Sequence, residues 1–174
     1  NHRGSLFGAM GPQPSQKAFE GALAMAISRL DPTRPVVIEA ESSKVGECRL
    51  PAEIWKAMQR APRVAIATSV AARADYLTRA YADMVADAAR LAGVIDRLRR
   101  SHPAERIADW QAMAGAGAFA ALAEGLMQHH YDPRYEKHRA RMQVAFTEIA
   151  APGLQSGDLV ALADQVAVAV RAAI

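Results

Sequence analysis

The chain has 174 residues, 51% of them hydrophobic and 22% charged, enough to bury the core of one ordinary domain and too apolar for disorder. Its net charge of +3 permits a polyanionic partner without demanding one, and the single cysteine, Cys48, rules out an internal disulfide. No apolar run nears the roughly 18 residues that a membrane helix needs, and no signal-peptide core stands at the start, so a cytoplasmic setting and no membrane partner are expected.

The chain opens "NHRGSLFGAMGPQPSQKAFE", from Asn1 to Glu20, without an initiator Met and as if within a motif, which suggests a piece of a longer protein. Glycines ahead of a helix are the right material for cradling phosphate, because backbone N–H groups can converge there on an anion. The spacing is not that of a Walker loop, since Gly8 and Gly11 are followed by Pro12-Gln13-Pro14 rather than by Gly-Lys-Ser/Thr. Ser15 is placed to cap a helix whose apolar positions Phe19, Leu23, Ile27 and Leu30 recur at helical spacing until Asp31-Pro32.

Pro35-Val36-Val37-Ile38 is a β-branched run without alternation, the pattern of a strand buried on both faces of a parallel sheet. Pro51 starts a short helix with Ile54, Trp55 and Met58, and Arg63 to Ala67 reads as a second buried strand. From Val70 a long helical pattern places Leu77, Tyr81, Met84, Ala88, Leu91, Ile95 and Leu98 in near-heptad register. Pro103 opens a helix with Ile107 and Trp110 inward, Gly115-Ala116-Gly117 breaks it, and Phe119, Leu122 and Leu126 continue in another. Val144 to Thr147 reads as a third strand, and a last helix capped by Ser156 buries Leu159, Leu162, Val166 and Val170.

Strands alternating with helices predict an α/β fold with a parallel sheet, interrupted between strands two and three by a helical insertion at about residues 70–141. Glu39 and Glu41, two apart at the end of the first strand, point to one face of the crevice where such sheets bind ligands; they are candidates for a base or for holding a metal-bound phosphate, or else a solvated strand end beside Lys44 and Arg49. Arg73 and Arg79 are candidates to converge on an anion, or ordinary surface cations.

The densest polar stretch is "HHYDPRYEKHRAR", His129 to Arg141, with four Arg or Lys, three His and two Tyr against two carboxylates. Guanidinium binds phosphate bidentately and tyrosine offers a stacking platform, so Arg134, Tyr135, Lys137 and Arg139 suit an RNA backbone and its bases. The alternative is a solvated lid. Adjacent His129 and His130 splay on a helix and no cysteine joins them, so no metal site is expected. No Ser-His-Asp order or nucleophile elbow supports a hydrolase.

Taken together, "NHRGSLFG", "QPSQKAFE", "VVIEAESSKVG" followed by "LPAEIW", and "HYDPRYE" resemble the C-terminal domain of the bacterial tRNA 2-selenouridine synthases, also described as tRNA geranyltransferases. The motifs keep their order over nearly the whole chain. The resemblance implies a partial P-loop-type, three-layer domain over residues 1–174, whose Walker loop and rhodanese domain, with its catalytic cysteine, lie outside this sequence; Cys48 does not inherit that thiol role. It implies a transferase that converts 2-thiouridine at the tRNA wobble position to 2-selenouridine through a geranylated intermediate, with geranyl diphosphate and selenophosphate as substrates and this piece alone inactive. Arg3, Ser5 and Arg73 would line the phosphate side. Glu39 or Glu41 would stand where the acidic residue of a Walker B strand stands; such domains often carry Asp where this chain has Ala40, which leaves both candidates open. A small-molecule kinase of the P-loop type and a non-catalytic helical RNA- or protein-binding module remain as alternatives.

Overall fold

The computed structural model describes residues 12–40, 42–140, 144 and 146–173, and these form a mixed α/β structure that is mostly helical, with two small sheets. The chain divides into two compact units, one from residues within 1–65, 142–149 and 163–174, the other from 66–141 and 150–162.

In the first unit, Ser15 caps helix α1 (Gln16–Ile27) by accepting the Ala18 N–H at 3.3 Å. The helix stops at Ile27, short of the expected Leu30, and the Asp31 carboxylate instead accepts the N–H and hydroxyl of Thr33 at 2.9 and 2.7 Å. None of its residues is fully buried. Strands β1 (Lys44–Val45) and β2 (Cys48–Arg49) form an antiparallel hairpin whose turn needs Gly46 at φ 61°. Two glutamines of the "QPSQ" stretch serve this hairpin as a backbone would. Gln13 donates to Val45 O at 2.8 Å and accepts the Glu47 N–H, while Gln16 donates to Arg49 O at 2.8 Å and accepts the Arg49 N–H at 2.9 Å. Cys48 is buried beneath them, its Sγ 3.5 Å from Pro14 O. Helix α2 (Ala52–Arg60) follows Pro51 as expected, with Met58 buried and Ile54 and Trp55 half-buried.

The first expected strand is absent. Residues 35–40 are irregular, and Val36, Val37 and Ile38 are 52%, 68% and 53% exposed. An isolated β-branched run has no ladder to join, and β3 (Arg63–Ala67) takes β4 (Phe146–Ala150) as its neighbour in a two-stranded sheet. The third strand thus lies at residues 146–150 rather than 144–147. Among the described residues the sheets are these two small ones.

In the second unit the long helical pattern resolves into α3 (Val70–Ala80), α4 (Ala82–Val85), α5 (Ala88–Arg97) and one 3₁₀ turn (Leu98–Arg100). Side chains that cap helices explain the divisions. Ser69 accepts the Ala72 N–H at 3.1 Å, and Asp87 accepts the Arg90 N–H at 2.9 Å, restarting the chain as α5. Met84, Leu91, Val94, Ile95 and Leu98 form the core with Ile107 and Trp110 of α6 (Ala104–Gly115) and with Leu122 and Leu126 of α7 (Phe119–Leu126). The expected break after α6 is a Schellman closure: Gly117 sits at φ 70°, its N–H reaches Ala114 O, and the Ala118 N–H reaches Met113 O at 2.9 Å. Helix α7 packs against α3 and α6. At Gly125 a Cβ would lie only 2.9 Å from Trp110 Nε1, so glycine lets α7 approach the indole.

The last helix, α9 (Ser156–Ala172), starts at Ser156. Asp158 closes its entry by accepting the Gln155 N–H at 3.0 Å. Leu162 is buried, whereas Leu159 is 37% exposed and Val166 and Val170 are half-buried.

Candidate nucleic-acid interface

Helix α7 runs into one π turn (Met127–Tyr131), closed by the Asp132 N–H on Met127 O, and then into α8 (Asp132–Arg139). The extra residue of a π turn rotates the helix beyond it, and such turns recur at functional sites. Within it the two adjacent histidines splay apart, with His130 buried at 4% exposure and His129 left in solvent.

His130 is gripped at both ring nitrogens. Its Nδ1 lies 2.8 Å from His102 Nε2, and its Nε2 lies 2.9 Å from Arg134 Nη1, one helical turn ahead. Arg134 Nη2 also reaches Ser101 Oγ at 3.4 Å. The Tyr131 ring meets His130 edge-on at 4.8 Å, and Trp110 meets His102 in the same manner at 4.9 Å. Burial, then the neighbouring Arg134 charge, then His102 push the His130 pKa down to about 4. His102 is lowered as well, by burial first and then by Arg134, Arg106 and His129.

Arg73, from α3, donates two bonds to Asp132, at 2.8 and 2.6 Å. The pair is partly buried, and the bond to Asp132 raises the guanidinium pKa further above its ordinary value. This fork fixes the start of α8 against α3. Arg79 does not join it: it pairs with Asp75 at 3.0 Å and donates to Leu154 O at 3.2 Å.

Along α8, Arg134, Tyr135, Lys137 and Arg139 are all exposed, and the Tyr135 ring stacks near Tyr131 with centroids 6.4 Å apart and planes at 22°. The structure therefore brings the four sequence-identified RNA candidates onto one short helix beside Arg73. Glu39 lies in the exposed irregular segment 35–40, while Arg3, Ser5 and Glu41 fall outside the described residues. Among the described residues no group of three or more His, Cys, Asp or Glu is placed to hold a metal ion. No helix among them is long and apolar enough to cross a membrane. Sequence reasoning missed His102, Ser101 and the Asp132 partner of Arg73, because contacts 28 to 59 residues apart leave no local pattern.

A mixed α/β domain with a helical unit that presents a short basic helix bearing tyrosine is the class of protein defined so far. A family profile described as the tRNA 2-selenouridine synthase AAA domain matches residues 1–98. Similar relatives named tRNA 2-selenouridine synthase include those of Azotobacter vinelandii, 33% identical over 80% of this chain and 45% of the relative, and Bordetella bronchiseptica, 33% identical over 80% and 46%. One from Hahella chejuensis is 39% identical over 47% of this chain and 22% of its own length. The chain belongs to the tRNA 2-selenouridine synthase family. It spans slightly under half the length of the curated relatives that it matches over most of its length. No solved structure matches.

Proposed function

We propose that this chain is the part of a tRNA 2-selenouridine synthase that receives tRNA, and that the complete enzyme converts 2-thiouridine at the wobble position to 2-selenouridine through a geranylated intermediate. Geranyl diphosphate supplies the alkyl group and selenophosphate the selenium. The observation that carries the reading is the surface of α8, where three cations lie beside a Tyr131–Tyr135 stack within a family whose relatives are named for a tRNA product. Cations neutralise phosphates and release counterions, while flat rings hold unstacked bases without regard to sequence.

On the small-molecule side, a departing diphosphate calls for cations and N–H donors. The reading assigns Arg3, Ser5 and Arg73 to that role and Glu39 or Glu41 to the chemistry, within a P-loop-type parallel sheet that includes β3 and β4. Arg73 would have to exchange the Asp132 carboxylate for phosphate oxygens, an exchange of like for like in charge and geometry.

The test is a triple substitution in the intact enzyme, Arg134→Ala with Lys137→Ala and Arg139→Ala. It should weaken tRNA binding across sequences and flatten its salt dependence by about two to three units, at close to one unit per phosphate contact. Geranyl diphosphate affinity should not change. Unaltered tRNA binding with weakened diphosphate binding would instead make this helix a lid over the small substrate.

A further inference from the structure

Arginine only donates, so at the 2.9 Å contact His130 Nε2 must be the acceptor. A neutral imidazole that accepts at Nε2 carries its proton on Nδ1, and that N–H points at His102 Nε2 2.8 Å away, which must accept in turn. The chain of three side chains has one consistent assignment of hydrogens. A proton added to either ring would set N–H against N–H at one of the two contacts.

The rings have little freedom to turn. His130 is buried against the Tyr131 ring, and His102 is set against Trp110, itself 1% exposed. Among the described residues, the other groups whose charge acts on the pair are Arg134 on α8, Arg106 on α6 and His129 on the π turn, and none of these three is an acid. The nearby Asp132 carboxylate is held by Arg73. With that carboxylate engaged by Arg73, the cations around the pair disfavour a charged imidazole, so His130 stays an acceptor.

We propose that His130 is a positioning residue for RNA binding: kept neutral and in the Nδ1–H form by His102, it holds one edge of the Arg134 guanidinium through Nε2 while Ser101 Oγ lies 3.4 Å from Nη2, and the donors of that fork not used in these two contacts are presented to an RNA phosphate. Free arginine side chains lose considerable rotamer entropy on binding. An arginine tethered to a fixed acceptor has lost part of that freedom beforehand, so its phosphate contact is stronger than that of a neighbour such as Lys137. The inference rests on the proposed tRNA contact of α8 and adds to it the side chains that orient its first arginine.

Two measurements on the intact enzyme test it. In the first, binding of a tRNA substrate is followed for Arg134→Ala, His130→Leu, His130→Gln and the double variant Arg134→Ala with His130→Leu. Arg134→Ala should weaken binding about tenfold, as loss of a charged hydrogen bond does. His130→Leu should lose several-fold alone and nothing further when Arg134 is already Ala. His130→Gln, whose amide oxygen can still accept from Arg134, should restore most of the affinity. A His130→Leu loss that persists in the Arg134→Ala background would make the effect structural and overturn the proposal. If Arg134→Ala itself leaves tRNA binding unchanged, the RNA reading fails instead. The second measurement does not depend on RNA or on any variant folding. Nitrogen chemical shifts of the two imidazoles at neutral pH should show His130 protonated at Nδ1 and bare at Nε2, and a His130 Nε2–H form would overturn the proposal outright.

Discussion

Lowering the pH should destabilise the helical unit through His130, by an amount set by its surroundings. In the unfolded chain this histidine titrates near its ordinary value of about 6.5. In the folded chain burial and the Arg134 charge depress it to about 4. The folded state therefore resists a proton that the unfolded state accepts, so the full stability is present above about pH 6.5 and is lost as the pH falls toward 4. With those two values the loss is about 2 kcal/mol at pH 5 and about 3 kcal/mol at pH 4, at 1.36 kcal/mol per pKa unit. His102 is shifted in the same direction and steepens the same window. Urea unfolding at pH 7 and pH 5, followed by Trp110 fluorescence in a Trp55→Phe background, measures the slope. His130→Gln removes the titrating group, so its stability should fall less between the two pH values, by about 2 kcal/mol. Equal slopes in the two proteins would refute the account, because the carboxylates and the other histidines are common to both.

Gly125→Ala adds a methyl group 2.9 Å from Trp110 Nε1, against an indole with almost no exposure and no room to withdraw. Overpacking of this kind costs about 1–3 kcal/mol, set against a helix-propensity gain near 1 kcal/mol, so Tm should fall; an increase would show that the α6–α7 contact is loose. Asp132→Asn leaves Arg73 facing a neutral amide, and since the pair is only partly buried the cost should be about 1–2 kcal/mol, below that of a fully buried pair. Combining it with Arg73→Met should recover part of that loss in urea unfolding, whereas strictly additive losses would show that the two side chains do not act as a pair. Gln16→Ala removes both bonds to Arg49, so the Arg49 amide should exchange with solvent faster by about tenfold while Ile95 amide protection is unchanged; an unchanged Arg49 rate would mean that the hairpin holds without α1.

What the sequence made legible was local. Ser15 caps its helix, Pro51 and Pro103 precede theirs, and the Gly115–Gly117 break falls where glycine alone accepts a left-handed residue. Ile107, Trp110, Leu122 and Leu126 were readable as core because a helix repeats its inward face every three or four residues. The strand at Val36–Ile38 was not decided by its residues. A β-branched run records only what it would do beside another strand, and no described strand lies beside it.

The candidate interface shows the same division in its chemistry. Arg134, Tyr135, Lys137 and Arg139 could be picked out as a cluster because residues close in sequence share a short helix. The role of each depended on partners far along the chain. Arg73, a candidate for an anion or an ordinary surface cation, spends two of its donors on Asp132, fifty-nine residues away. His130, read as half of a splayed pair too poor for a metal, is instead a buried neutral acceptor between His102 and Arg134. A histidine's function is set by which nitrogen keeps its lone pair, and that depends on the group opposite each nitrogen. Neighbours on a helix splay by roughly 100°, so one ring of this adjacent pair, His130, lies inside and the other, His129, is left out. The sequence picks out groups chemically suited to RNA; the fold decides which of them are already engaged with protein, as Arg134 is with His130 and Ser101, and which, like Lys137, are exposed.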